Sequence, residues 1–235
     1  MMTKFRAHLG NAGAVPGGHQ AGAPTGTLLE ARDVHKSYGR HEVLRSVDLA
    51  AGPGQLIAVV GENGAGKSTL LKILAGTLAA DSGTVALNGT LGYCPQDPVL
   101  NDNLTVEQHL RYFAAAYRLP ALDRADELVG QLGYAAHLRE PGGTLSGGTR
   151  QKLNLTLALM HDPGVLLLDE PYQGFDWETY LRFWDLVADL RARGKAIVII
   201  THLVFEQDRF DLLADLSGGR LTRRPVPGEE DHAHR

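Results

Sequence analysis

The run Gly61-Glu62-Asn63-Gly64-Ala65-Gly66-Lys67-Ser68-Thr69 lies between an apolar stretch, Leu56–Val60, and a helix-like stretch, 70–75. A strand, a tight glycine-rich loop and a helix N-terminus in that order predict both a local shape and a ligand. Gly61, Gly64 and Gly66 let the backbone turn and approach an anion with no Cβ in the way. Successive N–H groups and the helix dipole then face that anion. Lys67 is placed to reach the β- and γ-phosphates of a nucleotide, and the Ser68 hydroxyl to ligate Mg²⁺. An ordinary glycine turn between a strand and a helix fits the same residues; the flanking elements favour the phosphate cradle.

Strands and helices alternate around this loop. Extended segments are expected at 28–35 and 43–49, and a buried strand at 55–60. A short helix, 70–75, is stopped by Gly76. Short strands at 84–87 and Leu91–Cys94 flank Asn88-Gly89, which reads as a hairpin turn. Residues 97–160 then turn helical. Thr105 and Gln108 form a capping-box pattern ahead of Val106, Leu110, Phe113 and Tyr117 on one face, ended by Pro120. Asp123 is expected to cap a second helix carrying Leu128, Val129 and Leu132, closed by Gly133, and a third helix runs from about Gly148 to Met160. Alternation resumes with a strand at 165–168, a helix at 178–193 burying Leu181, Trp184, Val187 and Leu190, and a strand at Ala196–Ile200. The simplest architecture is α/β, a parallel-sheet core interrupted by a helical insertion. Residues 1–26 are rich in Gly, Ala and Pro and are expected to be a disordered extension, and 222–235 a charged tail.

Bulk properties narrow the function. A chain of 235 residues with 43% hydrophobic residues has material for one large α/β domain with an inserted subdomain. The formal net charge of −4 disfavours a general nucleic-acid binder, which needs a basic face. Cys94 is the single cysteine, which excludes a disulfide framework and suits a reducing cytosol; it reads as a small buried apolar residue. No apolar run approaches the roughly 20 residues of a membrane span, and no secretory leader is evident, so a membrane role is expected to run through a partner.

Further motifs add chemistry. Asp169 and Glu170 follow the apolar strand at 165–168, at the strand end where such sheets bind ligands. Asp169 suits Mg²⁺ held through water, and Glu170 a general base that polarises the attacking water. A strand-ending polar pair capping the next turn is the alternative for these two alone. Leu145-Ser146-Gly147-Gly148 opens a helix, again baring N–H groups at a positive dipole end.

In this order (phosphate loop, a Gln after a short strand, LSGG, an apolar strand with Asp-Glu, a strand ending near His) the chain resembles the ATP-binding cassette (ABC) ATPase family over roughly residues 27–221. The resemblance implies a P-loop NTPase fold with a RecA-like core, 27–96 and 161–221, an N-terminal antiparallel β subdomain and an inserted α-helical subdomain, 97–160. It implies ATP and Mg²⁺ as ligands, with residues 61–69 around the phosphates, Ser68, Gln96 and Asp169 toward the metal, and Glu170, Gln96 and His202 as catalytic residues. Tyr38 matches the aromatic that stacks on adenine, Ser146, Gly147 and Gly148 the groups that meet a partner's nucleotide, and Asp176 the loop crossing to the partner.

Two departures from the family pattern stand out: Thr149 replaces the usual Gln after LSGG, and Gln173-Gly174-Phe175-Asp176 replaces Ser-Gly-Leu-Asp. The resemblance further implies a second cassette, identical or different, and a separate membrane permease, with the stretch 103–120 similar to that of multidrug, antibiotic or polysaccharide efflux cassettes. The expectation is therefore a cytoplasmic ATPase subunit of a membrane transporter, an exporter, with no nucleic-acid partner. The alternatives are a non-transport ABC ATPase and a weakly hydrolysing regulatory cassette.

Overall fold

The computed structural model describes residues 19–20, 26–201 and 207–224. Along the described residues run β1 (His19–Gln20), β2 (Leu29–Tyr38), β3 (His41–Ala51), β4 (Leu56–Val60), α1 (Lys67–Leu74), β5 (Ser82–Leu87), β6 (Leu91–Cys94), α2 (Val106–Tyr117), α3 (Asp123–Gln131), α4 (Gly147–Leu159), β7 (Val165–Asp169), α5 (Trp177–Ala192), β8 (Ala196–Ile200), β9 (Leu212–Ser217) and β10 (Arg220–Arg224).

The larger sheet has the order β10-β9-β4-β8-β7-β6. Strands β9, β4, β8, β7 and β6 pair in parallel, and β10 closes one edge antiparallel to β9. Parallel strands need both faces covered, and β4, β7 and β8 are buried at every position. The two-residue period of a strand divides their side chains between two cores. Leu56, Ala58, Val60, Leu166, Leu168, Ile197 and Ile199 point to a core shared with α2–α5. Ile57, Val59, Val165, Leu167, Ala196, Val198 and Ile200 point to the other, shared with α1 and the smaller sheet. Helix α1 contributes Leu70, Leu71, Ile73 and Leu74 to that second core. The fold is α/β with an N-terminal antiparallel β subdomain, as expected.

The smaller sheet runs β1-β5-β2-β3, with β2 antiparallel to both β3 and β5. The hairpin expected about Asn88-Gly89 does not form: β5 belongs to this sheet and β6 to the larger one. All four residues of β6 are buried, so it pairs with β7 inside the parallel sheet, whereas β5 is largely exposed. Asn88 instead stitches the crossing segment to the start of β2, its backbone N–H donating to Leu28 O at 2.8 Å and its side-chain amide to Thr27 O at 2.9 Å.

The capping box at α2 forms as read, with Thr105 and Gln108 each accepting the other's backbone N–H. Val106, Leu110 and Phe113 are buried and Tyr117 partly so. Asp123 is the first residue of α3 and not its cap, a position Leu122 takes; the carboxylate still lies in the first turn, at the positive end of the dipole. On α5 the inward stripe differs from expectation. Phe183, Trp184, Leu186, Val187 and Leu190 are buried while Leu181 is exposed. Phe183 takes the inward position because Tyr172 and Phe175 pack edge-on against its ring. Two chain-end readings also shift. His19–Gln20, within the stretch read as disordered, pairs with Val85 and Ala86, and residues 222–224, read as tail, complete β10. Cys94 is wholly buried, and that burial raises its thiol pKa.

Candidate phosphate-binding site

Strand β4 ends at Val60, and the chain turns through Gly61, Gly64 and Gly66 at φ 148°, 81° and 102° into α1. Space as well as dihedral demands glycine at two of these positions. A Cβ on Gly61 would run into the Leu216 carbonyl of β9, and one on Gly66 into the Val43 side chain. The loop thus lies flat against β9 and β3. Gly66 caps α1 without a side-chain acceptor. The first-turn N–H groups of Lys67, Ser68 and Thr69 have no intrahelical acceptor and sit at the positive end of the dipole.

Lys67 is 6% exposed, and its ammonium donates to Gly61 O and Glu62 O, each at 2.8 Å. The side chain curls back on its own loop. Burial lowers its pKa, and the carboxylates of Glu170 and Asp169 oppose that shift.

Asp169 ends β7 and is 2% exposed, with Ser68 near enough to stabilise its charge. Its Oδ1 is buried with no hydrogen-bond partner among the described residues. Burial raises its pKa; Ser68 opposes the shift, Glu170 adds to it, and Lys72 and Lys67 oppose it. A buried carboxylate oxygen without a donor, beside a serine hydroxyl, is a hard-oxygen donor set of the kind Mg²⁺ takes, so the residues fit that ion.

Glu170 follows at φ 48°, a left-handed conformation that costs a non-glycine residue roughly 1–2 kcal/mol. Its N–H donates to Ile200 O at 3.1 Å, tying the turn to the end of β8. The Gln96 amide donates to Glu170 Oε2 at 3.4 Å. The Tyr172 and Thr201 hydroxyls hydrogen-bond just beyond, joining the segments after β7 and β8. Gln96, Glu170, Asp169, Ser68 and Lys67 are therefore gathered at one sheet edge.

A second cluster forms at the start of α4. Ser146 caps the helix, its Oγ accepting the Thr149 N–H at 3.2 Å, and the Thr149 hydroxyl lies 2.9 Å from the same oxygen. A Cβ on Gly148 would meet the Gly174 carbonyl, so the loop at 173–176 packs directly on the helix start beside Gly147. Asp176 caps α5, accepting the Thr179 N–H at 2.8 Å, and that bond lowers its pKa. Tyr38 ends β2, 53% exposed, with the Lys36 ammonium 5.9 Å from its ring centroid. His202 lies outside the described residues.

Sequence reasoning missed Gln151 and Asn154, both buried in the polar centre of α4. Their signal was legible: two amides three residues apart, on one face of a helix otherwise rich in leucine. It also missed the retracted position of Lys67, which no sequence pattern encodes.

A parallel sheet with a glycine-rich loop after one strand, Lys-Ser at the helix start and an acidic pair ending a second strand defines a phosphate-loop nucleotide-binding protein. Comparison with known proteins narrows the class. The family model described as "ABC transporter" matches residues 44–173. The chain is 32% identical over 226 residues to the "Probable multidrug ABC transporter ATP-binding protein YbhF" of Escherichia coli, covering 88% of this chain and 39% of that protein. It thus spans about two fifths of that relative's length. It is 32% identical over 222 residues to the "Nod factor export ATP-binding protein I" of Cupriavidus metallidurans, covering 86% and 72%. It is 35% identical over 224 residues to the "Aliphatic sulfonates import ATP-binding protein SsuB" of Mycobacterium avium, covering 90% and 89%. A solved structure described as "Structure of ATP binding subunit of ABC transporter" superposes with a TM-score of 0.80 at 28% identity, over 85% of this chain and 90% of that one. The chain belongs to the ABC transporter ATP-binding family.

Proposed function

We propose that this chain is an ATP-hydrolysing subunit of an ABC membrane transporter, working opposite a second cassette and beside a separate permease at the cytoplasmic face of the membrane. One observation carries the reading. Lys67, Ser68, the Asp169 oxygen that has no partner among the described residues, and the Gln96–Glu170 pair meet at the mouth of a loop whose glycines leave room for phosphates.

ATP would lie along residues 61–69, its adenine on Tyr38. Its phosphates would replace the Gly61 and Glu62 carbonyls as partners of Lys67, which moves outward from buried contacts to charge-assisted ones. Ser68, Asp169 and Gln96 would hold Mg²⁺, which when bound neutralises phosphate charge. Glu170 orients the attacking water and takes up its proton, while Gln96 fixes the carboxylate. His202 would contact the γ-phosphate. Ser146, Gly147 and Gly148 would close on the nucleotide of the second cassette, with Asp176 at the same border. ATP then favours the closed pair because only that state makes these contacts, and hydrolysis releases it. No helix among the described residues is long and apolar enough to cross a membrane; the permease is part of the proposal.

Export is the direction proposed, on the likeness of 103–120 to efflux cassettes alone; relatives named for export and for import both match, so their names do not choose between the two.

The experiment is a nucleotide titration with turnover. Lys67→Ala should weaken ATP binding at least tenfold, the scale of a lost charge-assisted contact. Glu170→Gln should retain binding, lose turnover and accumulate an ATP-dependent pair of cassettes. Retained affinity in the first, or parental turnover in the second, would remove this reading. Direction is tested in inverted vesicles carrying the permease, where external ATP should drive accumulation of a transported probe.

A further inference from the structure

We propose that Asn154, braced by Gln151, is a positioning residue that couples the start of α4 to Gln96. The contact Gln96 makes with Glu170 then depends on where Ser146 sits. The inference rests on the hydrolytic reading above and names how its two clusters communicate.

Asn154 is fully buried. Its amide nitrogen lies 2.8 Å from Pro95 O, 3.2 Å from Cys94 Sγ and 3.3 Å from Gln151 Oε1. Gln151, 4% exposed, places its own amide nitrogen 3.5 Å from Glu170 O and 3.9 Å from Cys94 Sγ. Pro95 immediately precedes Gln96. The two amides therefore touch both backbone segments that carry the Gln96–Glu170 pair, from one face of one helix.

The same helix begins at Ser146. Asn154 is eight residues further on, about 12 Å along the axis at the usual rise. An α-helix this short moves as a rod, so a shift of Ser146 toward a partner's nucleotide displaces the Asn154 amide and, through the short bond to Pro95, the residue after it. Apolar side chains at 151 and 154 would pack the helix against β6 without the desolvation penalty of two amides. The amides add direction: they fix α4 in one register against the chain entering Gln96. Gln151 holds the opposite side at Glu170, through a longer bond, so the two halves of the catalytic pair are referenced to one rod.

The test is a double-mutant cycle on the full chain, with any partner the parent needs for hydrolysis. Asn154→Ala and Gln96→Ala are made singly and together, and kcat is read at saturating ATP and Mg²⁺. Asn154→Ala should lower kcat about tenfold, the scale of one well-formed buried hydrogen bond, with ATP affinity within twofold of the parent. The double variant should be no slower than Gln96→Ala alone. Because Asn154→Ala leaves a cavity, Asn154→Leu, which fills the space with a side chain of the same branching and removes the donors, must repeat the pattern. Multiplicative effects, or lowered melting temperatures with unchanged kcat per folded molecule, would overturn the inference and leave the hydrolytic reading standing. Parental turnover in Gln96→Ala would also overturn the inference, because nothing would then be transmitted through Gln96, and would leave the hydrolytic reading standing.

Discussion

Replacing Asp169 with Asn should make the nucleotide-free protein more stable while blunting its response to Mg²⁺ and nucleotide. Asp169 is almost fully buried, and its Oδ1 has no donor among the described residues. A buried polar atom left in that state costs about 1–3 kcal/mol, and more when charged. Asn has the same shape and no charge, and its oxygen can stay beside Ser68. The attraction of Lys67 and Lys72 is lost, but burial and the neighbouring Glu170 outweigh it, which is the meaning of the raised carboxyl pKa. The Asn amide nitrogen at the Oδ1 position is itself left without a partner among the described residues, so only the charge part is relieved. About 1 kcal/mol corresponds, at roughly 2–4 °C per kcal/mol for a chain of this size, to a melting point higher by about 2–4 °C. The assay is scanning calorimetry in EDTA without nucleotide, repeated with Mg²⁺ and ATP at about a hundred times the dissociation constant. There the parent should gain roughly 2.7 kcal/mol and the variant distinctly less. A variant that melts below the parent in EDTA would show that the carboxylate is satisfied in the free protein, and the metal argument would lose its footing.

Thr149→Val removes the hydroxyl that meets Ser146 Oγ and should cost about 1 kcal/mol, read as a melting point lower by roughly 2–4 °C. An unchanged melting point would mean the hydroxyl pair contributes nothing. Thr105→Ala should cost about 1 kcal/mol by removing the cap of α2, with faster hydrogen exchange confined to that helix's first turn. Exchange unchanged there would contradict the capping assignment. His109 accepts the Asn101 N–H at Nε2 (3.0 Å) and donates from Nδ1 to Thr105 O (2.8 Å), so the fold needs the neutral ring. Burial lowers its pKa below 6.5, aided by Arg150 and opposed by its bond to Thr105 and by Asp102. Its contribution is complete above pH 6.5 and is lost as pH falls from there through the lowered folded value. Urea midpoints between pH 7.5 and 5 should fall, and His109→Gln should flatten that slope; an equal slope in the variant would exclude the ring.

The site was legible unevenly. Residues 61–69, Asp169 and Glu170 announce themselves because glycine spacing and a charge after an apolar strand are local signals. Gln96 was readable only through resemblance, since a lone amide after a strand suits many loops; Ser146 and its glycines read as a helix start, and only the resemblance gave them a partner's nucleotide. The pairing of Gln96 with Glu170 spans 74 positions and has no local signal. The same holds for the Asn154 network, which joins α4 to the chain 59 positions earlier.

The sequence by itself determined the elements whose causes are short-ranged: the apolar runs that became β4, β7 and β8, the capping box of α2, and the glycine loop that no other residue could trace. Tertiary structure decided allegiance and orientation. It sent β5 and β6 to different sheets, turned Leu181 outward in favour of Phe183, and folded Lys67 back onto its own carbonyls. These outcomes turn on which surfaces compete for burial and which donors meet which acceptors across the folded chain, and those contacts exist only once distant segments have been brought together.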